Sequence, residues 1–230
     1  MPIALLRPEG LIFDLDGTLV DTVRKRIDGW VEGLGESGLY TTAAEIGPMI
    51  GMDGRRLARE IAGKAGRSPS DDEVEAMDHA AGEAFDRRNT EPQPLPGLSE
   101  ALAAIARIGA RWVIATSSRA AQVRGSVAAL RLKETPDILD GSHVEHAKPA
   151  PDLLLLAARR LGVAPERCWA IGDSTWDARA AVAAGMHAVC VTAGSAVSAG
   201  ELVAAGATVV IPTLAELARL LEEALAPDAA

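Results

Sequence analysis

Two aspartates follow a short apolar run near the start of the sequence, and they are candidates for catalysis or metal binding. Leu11-Ile12-Phe13 is followed by the stretch Asp14-Leu15-Asp16-Gly17-Thr18. If the run is a strand, its side chains alternate between two faces, so Asp14 and Asp16 point the same way. One carboxylate can then act as a nucleophile or metal ligand while the other exchanges protons. The alternative is a strand that ends in an ordinary aspartate–glycine turn.

Polar side chains follow two further apolar runs in the same way. Thr116 and Ser117 come after Trp112-Val113-Ile114-Ala115, and their hydroxyls and backbone N–H groups suit a phosphate cradle or, alternatively, a simple helix cap. Asp173 follows a run that ends at Ile171. Together with a carboxylate from the first strand, Asp173 can complete an oxygen-only site for a hard divalent cation.

Asp177 and Lys148 are the remaining candidates. Asp177 lies one helical turn after Asp173, where it can orient the site or simply interact with the helix dipole. Lys148 is one of 4 lysines among 23 basic residues and precedes two closely spaced prolines. Such a lysine either supplies a compact point charge to a site or is a solvated loop residue.

The elements that must position these residues alternate along the second half of the chain. Apolar strand-like runs precede the polar stretches and recur at Ala188-Val189-Cys190-Val191 and Thr208-Val209-Val210-Ile211. Helical periodicity between and after them predicts helices over 98–108, 151–161, 177–184 and 214–225, with a further one that begins near Arg119. This alternation predicts right-handed βαβ units around a parallel sheet, with ligands at the carboxyl ends of the strands.

Residues 22–92 break this alternation. Helical patterns occupy 23–34, 55–64 and 71–88, and an extended proline-containing stretch follows at 92–96. We predict an α/β core formed by residues 1–19 and 94–230 and a small helical cap domain formed by residues 20–93.

Composition excludes several classes of protein. The chain has 230 residues, of which 48% are hydrophobic and 24% charged, which suits a globular protein and not a disordered one. A formal net charge of −9 argues against a general nucleic-acid binder. No apolar run is long enough to span a membrane, and Cys168 and Cys190 lie inside apolar runs as buried thiols do in a reducing compartment. We expect a cytoplasmic protein without nucleic-acid or membrane partners.

The ordered set of motifs resembles the haloacid dehalogenase (HAD) superfamily of phosphohydrolases. The motifs are D-L-D-G-T-L-V-D-T at 14–22, the strand that ends at Thr116-Ser117, K-P-A-P-D at 148–152 and G-D-S-T-W-D at 172–177. The resemblance is to phosphoglycolate phosphatase-like and β-phosphoglucomutase-like members with a helical cap. It implies a Rossmann-like parallel sheet sandwiched by helices, with the cap inserted.

The resemblance also implies catalytic roles. Asp14 would attack phosphorus and form an aspartyl-phosphate. Asp16 would protonate the leaving alcohol and then activate water, which is consistent with an acid/base placed beside a nucleophile. Lys148 would neutralise negative charge on Asp14 and on the phosphoryl oxygens.

A magnesium ion and a phosphate cradle follow from the same resemblance. Mg²⁺ would be bound by Asp14, the backbone carbonyl of Asp16, and Asp173. Asp177 would not touch the ion but would orient its ligands. The residues expected to hold the phosphate are Gly17, Thr116, Ser117 and Lys148, with the register between Thr116 and Ser117 left open by one residue.

The substrate is expected to be a small phosphorylated metabolite such as phosphoglycolate or a sugar phosphate, cleaved by a monomer or homodimer. Arg55 and Arg56 begin a predicted cap helix and either grip a second anionic group of the substrate or are surface residues. Sugar phosphomutases of similar sequence carry histidine where this chain has Arg26, and this departure argues against a mutase without excluding it. A mutase is therefore the alternative, and a non-enzymatic phospho-aspartate switch is a weaker one. Trp176 either lines the pocket rim or packs against helices.

Overall fold

A six-stranded parallel sheet forms the centre of the molecule. The computed structural model describes residues 7–118, 120–132, 134 and 136–224. The strand order is β3-β2-β1-β4-β5-β6, with every neighbouring pair parallel. The strands are β1 (Gly10–Phe13), β2 (Arg111–Thr116), β3 (Ile138–Asp140), β4 (Cys168–Gly172), β5 (His187–Val191) and β6 (Val209–Ile211). The predicted fold class, a Rossmann-like parallel sheet with helices, is confirmed.

Helices cover both faces of the sheet because the central strands are apolar on both sides. The helices of the core are α5 (Leu98–Ile108), α6 (Ala120–Ala129), α7 (Asp152–Leu161), α8 (Thr175–Ala183), α9 (Ala199–Ala204) and α10 (Leu214–Glu223). In β1, Leu11 and Phe13 pack with α5 and α10, while Ile12 packs with α7 and α8 on the opposite face.

Residues 23–88, which we call the helical insert, separate β1 from α5. The helices of the insert are α1 (Val23–Glu36), α2 (Ala43–Ile46), α3 (Gly54–Lys64) and α4 (Asp71–Arg88), with a 3₁₀ turn at Gly47–Met49. Its two connections run side by side, since the N–H of Asp21 donates to the carbonyl of Gln93 at 2.9 Å. The insert has its own apolar cluster. The division into two domains at residues 19/20 and 93/94 stays a prediction.

Strand β3 was absent from the sequence-based expectation. It is a three-residue edge strand, Ile138–Asp140, whose carboxyl end carries an aspartate. A run this short gives no periodic signal, so only its pairing with β2 defines it. Among the described residues no helix is both long and apolar enough to cross a membrane.

Candidate active site

The sheet register brings the predicted motifs to one edge. Phe13, the last residue of β1, pairs with Ile114 of β2 and with Ile171 of β4. The N–H of Asp14 extends this ladder by donating to the carbonyl of Ile171 at 2.8 Å. Asp14 therefore leaves the sheet at its centre, between the residues that follow β2 and those that follow β4.

Lys148 joins two carboxylates at this edge. Its Nζ lies 2.6 Å from Oδ1 of Asp14 and 2.6 Å from Oδ1 of Asp177. The lysine is only 3% exposed, so the sequence alternative of a solvated loop residue is wrong. Charge-assisted hydrogen bonds of this length in a buried site are among the stronger polar contacts in proteins.

Asp177 has two contacts that match both interpretations of the sequence. Its Oδ2 accepts a hydrogen bond from the N–H of Ser174 at 3.1 Å and so caps the start of α8. Its Oδ1 faces Lys148. The helix cap therefore holds the carboxylate in the orientation that the lysine needs.

Negative charge exceeds positive charge at this centre. Burial raises the pKa of Asp14, the charge of Lys148 lowers it and the charge of Asp177 raises it, so that the pKa lies at about 7. Burial also raises the pKa of Asp173, as do the charges of Asp177 and Asp14. Burial alone would lower the pKa of Lys148, but Asp14 and Asp177 outweigh it and raise this pKa. The carboxylates thus lie where one lysine does not balance them.

Gly17 leaves room for the Asp173 carboxylate. Gly17 has φ +83°, and a Cβ built on it would lie 2.4 Å from Oδ2 of Asp173. Oδ1 of the same carboxylate accepts a hydrogen bond from Thr18 at 3.0 Å. The turn after β1 therefore orients Asp173, which is buried at 3% exposure, and any side chain at position 17 would displace it.

These residues fit a hard divalent cation. Asp14 and Asp173 offer carboxylate oxygens, the type of ligand that Mg²⁺ prefers, and the raised pKa values of both indicate a shortage of positive charge that a cation would relieve. Within the described stretches, no three carboxylate, imidazole or thiol groups already converge as a ready metal site. The expected set needs only two carboxylates, because its third protein ligand is the carbonyl of Asp16.

Asp16 is surrounded by donors from both the core and the insert. Its carboxylate accepts hydrogen bonds from Thr22 Oγ1 at 2.7 Å, from Arg26 at 3.0 Å and from the Ser118 hydroxyl. Burial alone would raise the pKa of Asp16, but the charge of Arg26 and these hydrogen bonds together outweigh it and lower the pKa. Asp16 is therefore held as a carboxylate.

Arg26 is the contact that sequence reasoning missed. It was noted only as a departure from histidine, yet its guanidinium, on α1 of the insert, also reaches Ser118 at 3.1 Å and Gln122 at 3.1 Å. Its other face lies 3.8 Å above the centre of the Phe85 ring. An arginine five residues after Asp21 gives no signal of such a contact, because the partners come from three distant parts of the chain.

The three polar residues 116–118, at the carboxyl end of β2 and directly after it, have different hydrogen-bond partners. Thr116 is buried and accepts a hydrogen bond from the N–H of Ser118 at 3.1 Å. Ser117 donates to the carbonyl of Gly51 in the insert at 3.1 Å, and Ser118 binds Asp16. Which of Thr116 and Ser117 holds phosphate stays a prediction.

A cavity of about 880 Å³ lies above this edge, between the sheet and the insert. Its sheet side includes Asp14, Asp16, Lys148 and Asp173, and its insert side includes Arg55 and Arg56. Nη2 of Arg55 lies 3.7 Å from Oδ2 of Asp53, and the Arg55 side chain is 56% exposed. The structure thus brings every predicted site residue to one cavity or its immediate border, and the roles of Arg55 and the phosphate cradle stay predictions.

A family model, "haloacid dehalogenase-like hydrolase", matches residues 8–185. This chain belongs to the haloacid dehalogenase-like hydrolases. The prediction of a HAD superfamily enzyme of the hydrolase class is confirmed.

Relatives agree with this assignment. The chain is 34% identical over 188 residues to fructose-1-phosphate phosphatase YqaB of Escherichia coli K12, covering 80% of this chain and 96% of that protein. It is 31% identical over 192 residues to hexitol phosphatase A of the same organism, with 82% and 85% covered. A hydrolase structure from Pseudomonas syringae superimposes with a TM-score of 0.88 at 32% identity, with 95% and 99% covered. The predicted enzyme class, a HAD-type phosphatase, is that of its named relatives.

Proposed function

We propose that this protein is a Mg²⁺-dependent phosphatase that hydrolyses a small phosphorylated metabolite through an aspartyl-phosphate on Asp14. The observation that carries the proposal is the buried contact of Lys148 with Asp14, 2.6 Å long, at the floor of a cavity of about 880 Å³. A carboxylate repels a phosphate dianion, so attack requires cations on both partners. Lys148 is placed to supply one of them.

In the first step, a carboxylate oxygen of Asp14 attacks phosphorus. The new O–P bond forms as the bond from phosphorus to the alkoxide oxygen breaks. Asp16, protonated for this step, gives its proton to that oxygen, so that a neutral alcohol leaves. The charge of Arg26 and the hydrogen bonds from Ser118 and Thr22 lower the pKa of Asp16, so proton donation uses the protonated form that these contacts disfavour.

In the second step, Asp16 acts as a base. It takes a proton from water, and the water oxygen attacks phosphorus of the aspartyl-phosphate. The bond between phosphorus and Asp14 breaks, which releases inorganic phosphate and restores the carboxylate. The lowered pKa of Asp16 favours the ionised state that this step requires.

Asp14, Asp173 and the carbonyl of Asp16 are the residues that would hold Mg²⁺. The ion would supply positive charge that offsets the repulsion between Asp14 and phosphate. Asp177 would keep Lys148 directed at Asp14. We further propose that Gly17, Thr116 and Ser117 contribute to holding the phosphate, and that Arg55 contacts the leaving group.

A phosphorylated sugar or polyol is the substrate class that the relatives' names favour, since those proteins act on fructose 1-phosphate and hexitol phosphates. A cavity of this size accommodates a phosphate ester with several carbons. Phosphoglycolate is the second candidate. A mutase would return the phosphoryl group to sugar instead of water, so the exclusion of water by the insert separates the two activities.

The test is phosphate release from a panel that includes fructose 1-phosphate, sorbitol 6-phosphate, phosphoglycolate and glucose 1-phosphate, with Mg²⁺ and with a chelator. We expect the protein to release phosphate from at least one ester when Mg²⁺ is present and not when the chelator is present. The variant Asp14→Asn should release none. The matched control is Asp137→Asn, which changes an exposed aspartate paired with Arg160 and should keep full activity. Formation of glucose 6-phosphate without phosphate release would show a mutase, and undiminished turnover in Asp14→Asn would contradict the assigned nucleophile.

A further inference from the structure

Trp176 belongs to a helix of the core but packs into the helical insert. It lies on α8 (Thr175–Ala183), and its indole joins an apolar cluster whose other buried members lie between residues 23 and 81. Only 9% of the residue is exposed. A tryptophan buried in this way contributes a large contact area across the boundary between core and insert.

The indole also makes directional contacts. Its Nε1–H donates to the carbonyl of Pro48 at 3.1 Å, in the 3₁₀ turn of the insert. The guanidinium of Arg56, from α3, lies 5.2 Å from the ring centroid, and that of Arg179, from α8 itself, lies 5.3 Å from it. Cations at this distance from an indole face are attracted to it, so the ring orientation is fixed from the insert and from the core.

The segment that accepts this hydrogen bond is tied to the core at a second and a third point. The Ser117 hydroxyl donates to the carbonyl of Gly51 at 3.1 Å. Gly51 has φ +95°, and a Cβ built on it would lie 2.5 Å from Oγ of Ser174. Residues 48–54, which we call the wall segment, therefore lie directly against the start of α8.

The wall segment faces the cavity. Met49, Ile50, Gly51 and Met52 all line it, as does Asp14. Trp176 stands on the same turn as Asp177, whose carboxylate binds Lys148. One turn of α8 thus fixes the charged floor of the cavity and, through Trp176, the position of the wall above it.

We propose that Trp176 is a positioning residue that selects the leaving group by fixing the wall segment at a set distance from the reacting phosphate. This inference rests on the proposed phosphatase function for its kinetic consequence, but not for its structural one. Trp176 acts through the wall segment: it determines how much room the alcohol part of the ester has, while Asp14, Asp16 and Lys148 carry out the reaction.

The structural test is amide hydrogen exchange without substrate. Loss of the indole in Trp176→Ala should speed exchange in the wall segment, including the N–H groups of Ile50 and Met52, by roughly tenfold, the factor that corresponds to one net hydrogen bond with its packing. Trp176→Phe keeps the ring and loses the donor, so it should show a smaller increase. The matched control, Trp112→Phe, changes a tryptophan of β2 that packs edge-on against Phe13 and should leave the wall segment unchanged.

The kinetic test compares a substrate from the panel with p-nitrophenyl phosphate, whose leaving group differs in shape. We expect Trp176→Ala to raise KM for the preferred ester by roughly tenfold and to leave kcat for p-nitrophenyl phosphate within about twofold of wild type. Trp176→Phe should restore most of the selectivity. If Trp176→Ala does not fold, the comparison of Trp176→Phe with Trp112→Phe decides the question.

Unchanged exchange in the wall segment of both Trp176 variants would overturn the inference, whatever the protein hydrolyses. Faster exchange with unchanged selectivity would also overturn it, because the wall would then not choose the leaving group. An absence of phosphate release by the wild-type protein would instead refute the proposed function, and the exchange result would still stand.

Discussion

Lys148→Met offers a quantitative test of the charge cluster. Lys148 is buried and contacts the carboxylates of Asp14 and Asp177 at 2.6 Å each. Methionine keeps much of the length and none of the charge, so the variant leaves both carboxylates buried without this cation. Removing one partner of a buried ion pair costs about 3–5 kcal/mol. We expect a loss of this size in the free energy of unfolding at pH 8 without metal.

The loss should shrink on acidification. A carboxyl whose pKa is higher in the folded than in the unfolded protein binds its proton more tightly when folded, so its contribution to stability falls as pH rises between the two values. For Asp14 this window runs from 3.8 to about 7 already in the wild type. Removing Lys148 raises the folded pKa of Asp14 further, so the added cost lies above pH 4 and is smaller at pH 5 than at pH 8.

Urea unfolding at pH 5 and pH 8 measures both quantities. The matched control is Lys64→Met, an exposed lysine in the last turn of α3, whose effect should stay within about 0.5 kcal/mol. A loss below about 1 kcal/mol at pH 8 for Lys148→Met, or a loss that does not depend on pH, would refute the view that Lys148 offsets buried negative charge. Activity should also be lost, since the cation that faces the nucleophile is gone.

Three further predictions concern Arg26, Gly17 and the metal. Arg26→Met removes the positive charge that lowers the pKa of Asp16, so this pKa should rise. The alkaline limb of the pH profile of kcat/KM, where the acid loses its proton, should then move to higher pH. An unchanged limb would contradict the view that Arg26 controls the pKa of Asp16. Gly17→Ala places a Cβ 2.4 Å from Asp173 Oδ2, at a backbone φ of +83°. Calorimetry should therefore show at least about tenfold weaker Mg²⁺ binding, and thermal unfolding should show a loss of stability of about 1–2 kcal/mol. The control Gly63→Ala, in open space on α3, should show neither effect. Mg²⁺ binding should release protons at pH 6 and few at pH 8.5, because the pKa of Asp14 is raised to about 7 and Asp14 must ionise to bind the ion. Calorimetry in two buffers of different ionisation enthalpy measures the number of protons released. Equal release at both pH values would contradict the raised pKa.

Much of the fold could be predicted because its signals are local. The strands at β1, β2 and β4 are apolar on both faces and end abruptly in polar residues, and the sheet register then brings Asp14, Thr116 and Asp173 to one edge. Parallel strands leave little freedom in where their carboxyl ends meet. By contrast, β3 has only two apolar residues before Asp140, too few for a run that predicts a strand, so its pairing with β2 defines it.

The parts of the site that escaped prediction depend on contacts between distant segments. Arg26 and Ser118 meet at Asp16, and Gln122 accepts a hydrogen bond from Arg26, only because the insert folds back onto the residues that follow β2. From its sequence, Trp176 fits both a pocket rim and helix packing; it packs with the helices of the insert, and its hydrogen bond to Pro48 is a contact that the sequence does not indicate. Side-chain partners across a boundary between two packed units have no fixed spacing in sequence, so periodicity does not reveal them.

Trapping the phosphorylated enzyme is the most direct test of Asp14 as the nucleophile. The protein is mixed with excess substrate and Mg²⁺, quenched in acid within milliseconds, digested and examined by mass spectrometry. We expect one phosphoryl group on the peptide that contains Asp14, at that residue, and none in Asp14→Asn. Turnover of substrate with no phosphorylated peptide in quenched wild-type samples, or a phosphoryl group on another residue, would contradict this expectation.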